Sequence, residues 1–331
     1  MPQHKFHFNL HEVKQAQRRL HGVARRTPLL TSNLLAGVFL KAENLQVTGS
    51  FKIRPAFNQM SLLSRQDRMR GVVTSSSGNF AQAVAFAARL LKIDTKVVMM
   101  KGSNSLKVER TRKWGAQVVF CGKRFEHRTQ KVAEIQAAED RVSLHPYDHP
   151  AAMAGNGTIA LELLDQLPDV EQVVTPISGG GLIAGIALAI KSAKPTVKVL
   201  GVQPVLSNAT WLSWRSGTIQ SIEASPTIAD GLRVTRPGQL TFPVIQHFVD
   251  EVVTVEETTI LEAVRCLLEE ERLVVEPSGA VPLAAILEGK ILPRQTLLVL
   301  SGGNIEPRLL KRILDIKSQE VSPLASDSTA T

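Results

Sequence analysis

Gln172-Val-Val-Thr-Pro-Ile177, then Ser178-Gly179-Gly180-Gly181, then Leu182-Ile-Ala-Gly-Ile-Ala-Leu-Ala-Ile-Lys-Ser192 is the stretch that decides the fold. A β-branched apolar run stops at a glycine cluster, and a helical apolar pattern follows at once. That is one strand-to-helix step of an α/β sheet. The glycines have a chemical use at such a step. Without a Cβ, backbone N–H groups approach an anion closely, and the helix N-terminus adds partial positive charge. The spacing fits neither a dinucleotide loop nor a Walker loop. A phosphate at this glycine loop is one reading, and a flexible strand-to-helix turn is the other.

The same alternation runs through the chain. Candidate strands are 38–41, 71–74, 95–100, 117–120, 172–177, 197–203, 251–255 and 296–300. The helical periodicity predicts helices over 81–91, 106–114, 128–140, 158–167, 182–192, 258–271 and 279–287. An α/β fold with largely parallel sheets follows. The 331 residues suffice for two domains. No Pro/Gly/Ser-rich linker divides them, which points to one domain inserted in another. The polar end, 318–331, reads as a disordered tail.

Composition narrows the classes. Hydrophobic residues make up 44% and charged residues 21%, as in an ordinary globular enzyme. No window approaches the roughly 20 apolar residues of a membrane span, so no membrane is expected. The first ten residues lack an apolar secretory core. Cys121 and Cys266 are too few for a disulfide framework, and a cytoplasmic setting is expected. The net charge of +9 is scattered, not gathered on one face, so no nucleic acid is expected. The expected assembly is a homodimer or homotetramer.

Three further stretches belong with the glycine loop. In Glu43-Asn-Leu-Gln-Val-Thr-Gly49-Ser50-Phe51-Lys52 a lone lysine follows a Gly-Ser-Phe turn in an apolar setting. A lysine kept partly dry loses its proton and becomes a carbonyl-seeking nucleophile. Val299-Leu-Ser301-Gly-Gly-Asn304 ends a core strand at the same sheet edge as the glycine loop, where ligands of open α/β sheets sit. The Ser301 hydroxyl can hydrogen-bond a pyridine nitrogen without fully protonating it. Thr74-Ser-Ser76-Ser77-Gly78-Asn79-Phe80-Ala81 places donors before a helix, which suits a carboxylate. Each alone reads as an ordinary turn or helix cap. Together they are a phosphate cradle, a ring partner and a Schiff-base lysine, which is the equipment for pyridoxal 5'-phosphate (PLP), with Phe51 packed on the ring.

With these residues, and with His145-Pro-Tyr-Asp148, Ala154-Gly-Asn-Gly-Thr158, Ile228-Ala-Asp-Gly-Leu232 and Glu276-Pro-Ser-Gly-Ala280, the chain resembles the threonine/serine dehydratase and serine racemase family of fold-type-II PLP enzymes. The resemblance covers about residues 20–306. It implies a tryptophan-synthase-β-like fold with a large domain of 1–61 and 150–317 and a small inserted domain of 62–149. It implies that Lys52 carries the Schiff base, that residues 178–182 hold the phosphate, and that Asn79 meets the ring hydroxyl and Ser301 the ring nitrogen. Ser76, Ser77, Gly78, Asn79 and Phe80 would cradle the substrate carboxylate. Ser77 matches the second acid/base of the racemases, and Glu276 approaches the cofactor.

The activity so implied is β-elimination from a β-hydroxy amino acid such as L-threonine or L-serine, giving a 2-oxo acid and ammonia. Lys52 would be the base at the α-carbon. Amino-acid racemisation and dehydration of a bulkier β-hydroxy amino acid are the alternatives. A ligand-binding protein that kept the fold is a rival from another class, and the intact Lys52 speaks against it. The chain also departs from the family pattern. Phe80 stands where His is usual; its ring either faces the pocket, biasing the site toward larger or less polar β-substituents, or packs in the small-domain core. Pro55 replaces a Gly, Ser178 the first Gly of the loop, and Asn156 a Gln. Gln203 and Ala209 stand where racemase-like members carry acidic metal ligands, so no metal is expected.

Overall fold

The computed structural model describes residues 6–103, 105–123 and 125–315; the tail expected at 318–331 lies outside them. The strands are β1 (Leu29–Thr31), β2 (Val38–Lys41), β3 (Val72–Ser75), β4 (Thr95–Met100), β5 (Gln117–Cys121), β6 (Val142–Leu144), β7 (Gln172–Pro176), β8 (Lys198–Pro204), β9 (Glu251–Val255) and β10 (Thr296–Val299). The helices are α1 (Leu10–Leu20), α2 (Ile53–Ser61), α3 (Arg65–Arg70), α4 (Asn79–Leu91), α5 (Ser105–Lys113), α6 (Phe125–Glu139), α7 (Pro150–Gln166), α8 (Gly181–Ala193), α9 (Ala209–Ser216), α10 (Thr241–Phe248), α11 (Glu257–Glu269), α12 (Pro277–Leu287) and α13 (Pro307–Asp315).

Two sheets result. One has six strands in the order β1-β2-β10-β7-β8-β9, parallel except for β1, which pairs antiparallel to β2. The other has four parallel strands in the order β5-β4-β3-β6. The central strands are buried on both faces, as parallel strands under helical cover must be: β7 and β10 are buried at every position. In the larger sheet β10 lies between β2 and β7, so the loops that follow β7 and β10 leave the same edge side by side. The loop after β3 leaves the corresponding edge of the smaller sheet.

Two features of the fold bear on the site. Helix α7 begins eight residues before the expected 158, at Pro150, and runs through Gly155 and Gly157. Glycine is a poor helix former, but here it permits contact. A Cβ on Gly155 would lie 2.6 Å from the Arg54 carbonyl oxygen, and one on Gly157 2.9 Å from that of Gly185. Close approach of α7 to α2 and α8 outweighs local propensity. Beneath the Lys52 segment lies a buried charge cluster. Arg54, 1% exposed, pairs with Glu43 at 2.8 Å and with Glu162 of α7 at 2.7 Å. Lys41 of β2 pairs with Glu162 at 2.7 Å. Burial opposes the charge on Glu43, yet Arg54 and Lys41 hold its carboxyl below the ordinary range.

Candidate active site

Lys52 is the N-cap of α2. Gly49, at φ +73, turns the chain, and Phe51 N donates to the Ser301 carbonyl at 3.0 Å. That bond ties the lysine segment to the end of β10. Pro55 fits because it falls in the first turn of α2, where a backbone N–H has no intrahelical acceptor. The lysine thus enters the site from a helix start braced by the charge cluster.

Lys52 Nζ donates to the Pro146 carbonyl at 3.0 Å and lies 4.9 Å from the Phe51 ring centre and 5.7 Å from that of Phe80. Burial pulls its pKa from 10.5 to about 8, against the attraction of Glu276. Near neutral pH a real fraction of this lysine is therefore the free amine. Phe80 is 2% exposed and belongs to the apolar cluster of Ile53, Ala56, Phe57, Met60 and Val84. It is a core residue whose ring also walls the amine.

Next to Pro146 stands Tyr147, and its ring lies over the glycine loop. A Cβ on Gly179 would lie 2.2 Å from Tyr147 Cε2, and one on Gly181 2.8 Å from Tyr147 Cβ. Gly180 has φ +97, which an L side chain rarely adopts. No side chain caps the N-terminus of α8. The loop is held from outside instead: Thr241 Oγ1 donates to Gly179 O at 2.6 Å and Thr210 Oγ1 to Ser178 O at 3.1 Å. Carbonyls are tied back and the helix start is left to an incoming anion. The uncapped N–H groups suit a phosphate, and a side chain on Gly179, Gly180 or Gly181 would collide with Tyr147, Ile245 or Thr241.

At the other end of the site, Asn79 Nδ2 donates to Glu276 Oε1 at 2.5 Å, and Asn79 Oδ1 accepts from Asn304 Nδ2 at 2.9 Å. The amide nitrogen carries a second hydrogen for a ligand oxygen. Glu276 also approaches Gly302, where a Cβ would lie 2.4 Å from its Oε1. Burial and the Asp230 charge push the Glu276 carboxyl up to about 7. Ser301 is 4% exposed beside them. Ser76 Oγ accepts from Gly78 N at 3.2 Å, and the Ser77 hydroxyl meets that of Ser103 at 2.8 Å. Lys107 of α5 pairs with Asp230 at 2.5 Å, so the smaller sheet's helices are tied to the larger sheet's side of the cleft.

The structure thus brings Phe51, Lys52, Asn79, Phe80, Glu276 and Ser301 into one continuous set of contacts. Pro146 and Tyr147 extend it from Lys52 to residues 179–181. The sequence reading gave Pro146, Tyr147, Ser103 and Asn304 no role. Pro146, Tyr147 and Asn304 stand in stretches that the sequence singled out, while only proximity marks Ser103. Where metal ligands stand in racemase-like proteins, Gln203 Oε1 accepts from Trp211 N at 2.8 Å. Among the described residues no group of three or more His, Cys, Asp or Glu could hold a metal ion. Among them, too, no helix is long and apolar enough to cross a membrane.

These features, a lysine of lowered basicity, an uncapped glycine cradle and a hydroxyl at the end of β10, define a PLP site on paired parallel sheets. The family of pyridoxal-phosphate dependent enzymes matches residues 21–302, and the chain belongs to it. It is 44% identical to the L-threonine ammonia-lyase of Thermotoga maritima over 92% of this chain and 78% of that one. It is 43% identical to the catabolic L-threonine dehydratase of Escherichia coli (strain K12) over 89% of this chain and 92% of that one. Among solved structures, the threonine deaminase of T.th. superposes with a TM-score of 0.85 at 42% identity, covering 90% of this chain and 99% of the other. Maize serine racemase superposes with a TM-score of 0.88 at 35% identity, covering 93% and 97%.

Proposed function

We propose that the protein is a PLP-dependent ammonia-lyase that eliminates the β-hydroxyl of L-threonine and L-serine, releasing a 2-oxo acid and ammonia. The observation that carries the reading is the half-buried Lys52 amine, beside two aromatic rings and with a pKa of about 8. Bound PLP supplies an electron sink for the α-carbon. Lys52 accepts the α-proton, for which its lowered basicity near working pH is suited. The backbone N–H groups of residues 179–182 hold the phosphate at the start of α8. Phe51 and Phe80 exclude water from the amine. Asn79 donates to the ring hydroxyl and Ser301 to the ring nitrogen. A serine there withdraws fewer electrons than a carboxylate-held proton would, so prompt loss of the β-hydroxyl competes well. Residues 76–80 hold the substrate carboxylate, and Glu276 orients Asn79.

In this reading residues 62–149 form an inserted domain and 1–61 with 150–317 the larger one. The protein works in the cytoplasm, in amino-acid catabolism, as a homodimer or homotetramer. The family and the named relatives support the chemistry. Racemisation is the second reading, favoured by the likeness to maize serine racemase. Assays of 2-oxo acid and of enantiomer composition from L-threonine and L-serine test both. Rapid 2-oxo acid formation is expected; enantiomer interconversion without it would overturn the first reading.

A further inference from the structure

The turn His145-Pro-Tyr-Asp148 joins β6 to α7 and carries a carboxyl that the elimination does not use. His145 Nδ1 accepts from Tyr147 N at 3.3 Å and from Asp148 N at 2.8 Å, which fixes the turn. Asp148 then reaches across to the start of α10. Its Oδ2 accepts from Gln239 N at 2.9 Å, and its Oδ1 from Leu240 N at 2.8 Å and Thr241 N at 3.1 Å. The approach is close: a Cβ on Gly238 would lie 2.2 Å from Asp148 Oδ1. Backbone donors at a helix start have no partner within the helix, and here one side chain meets three in a row.

What Asp148 holds in turn holds the glycine loop. Thr241 Oγ1 donates to Gly179 O at 2.6 Å, and Gly238 N donates to the same oxygen at 3.1 Å. A peptide unit is planar and trans, so its carbonyl and its N–H point opposite ways. With Gly179 O turned to α10, the Gly180 N–H faces away from α10. Thr210 Oγ1 of α9 does the same for the preceding peptide, by donating to Ser178 O at 3.1 Å. No side chain caps the start of α8, so an anion meets these N–H groups without a competing side chain. The same turn presents the Pro146 carbonyl to Lys52 Nζ at 3.0 Å, so it spans the amine and the loop.

We propose that Asp148 is a positioning residue for the cofactor phosphate: it holds the Thr241 hydroxyl on the Gly179 carbonyl and so aims the Gly180 N–H at the phosphate. The inference rests on the PLP reading above, with the phosphate at residues 179–182. Without the carboxyl, the donors of residues 239–241 turn to water and Thr241 is no longer fixed.

The test measures the affinity of the cofactor-free protein for PLP and for pyridoxal, which has the same ring and aldehyde and no phosphate. The readout is the ratio of the two affinities. Asp148→Ala and Thr241→Val each lower that ratio about tenfold, the effect of one weakened hydrogen bond to a charged group. Thr241→Ser keeps the hydroxyl and the parent ratio. Asp148→Asn keeps the Oδ1 acceptor, lowers the ratio about threefold, and carries the test if Asp148→Ala does not fold. A variant that merely folds less well binds both ligands more weakly and leaves the ratio alone. Because Asp148 acts through Thr241, adding Asp148→Ala to Thr241→Val costs less than about a further twofold. An unchanged ratio in Asp148→Ala and Asp148→Asn, with pyridoxal still bound, overturns the proposal. So does a double variant whose loss is the product of the two single losses. A parent that binds PLP no tighter than pyridoxal overturns the phosphate cradle itself, and the proposal with it.

Discussion

Lys41 is buried and Lys52 half-buried near the same sheet edge, and their amines are partnered differently. Lys41 Nζ donates to Thr27 O at 2.8 Å, Glu162 Oε2 at 2.7 Å and Gln166 Oε1 at 2.8 Å. An ammonium has three hydrogens, and all are engaged. Lys52 Nζ has the Pro146 carbonyl and two aromatic rings. Burial lowers the basicity of both amines, but Glu162 and Glu43 counter it at Lys41. At Lys52 the opposing charge is Glu276, whose own carboxyl titrates at about 7. Burial alone does not make a lysine reactive. Burial with its donors left unengaged does.

The largest effect expected from this contrast is on turnover. Lys52→Ala should abolish 2-oxo acid formation while the protein still folds, checked by assay and circular dichroism. Normal elimination in that variant would remove Lys52 from the reaction. Next comes Arg54→Ala in the fully paired cluster. It strands the buried Glu43 carboxylate and should cost about 3–5 kcal/mol in urea unfolding, or prevent folding. A cost below about 1 kcal/mol would mean that the cluster is solvated in solution.

Glu276 gives a smaller effect of opposite sign. Its pKa rises from 4.5 to about 7 on folding, so the folded chain keeps a proton that the unfolded chain releases in that window. Its contribution to stability is greatest in acid and is lost as pH rises through the window. Glu276→Gln keeps an acceptor for Asn79. It should stabilise the cofactor-free protein by about 2–3 kcal/mol at pH 8 and by almost nothing near pH 4. An equal effect at both pH values would contradict the raised pKa. Smallest is the response to magnesium or a chelator, expected below about twofold in activity, because the Gln203 amide is committed to Trp211. A several-fold rise would place a cation elsewhere.

Much of this was legible in the sequence. The strands with β-branched runs emerged within a residue or two of their bounds, and so did α8 behind its glycines. Strands β1 and β6, three residues each, are too short to show a period. Helix α2 was hidden by Pro55 and the first half of α7 by its glycines, residues that read locally as breakers. Their reason is tertiary: a first-turn position in one case, backbone contact in the other. Lys52 could be singled out by its setting, whereas nothing local in the sequence shows that folding buries Lys41 and Arg54. Tyr147 and Asn304 stand in stretches the sequence singled out without a role of their own, and Ser103 carries no local mark, because loops distant in sequence bring them to the site.

The most direct measurement is borohydride reduction of the PLP-loaded protein, followed by peptide mass spectrometry. The contrast between the two lysines predicts the cofactor's mass on the peptide that contains Lys52, with Lys41 unmodified. Label on Lys41 or on a surface lysine, with Lys52 clean, would contradict it.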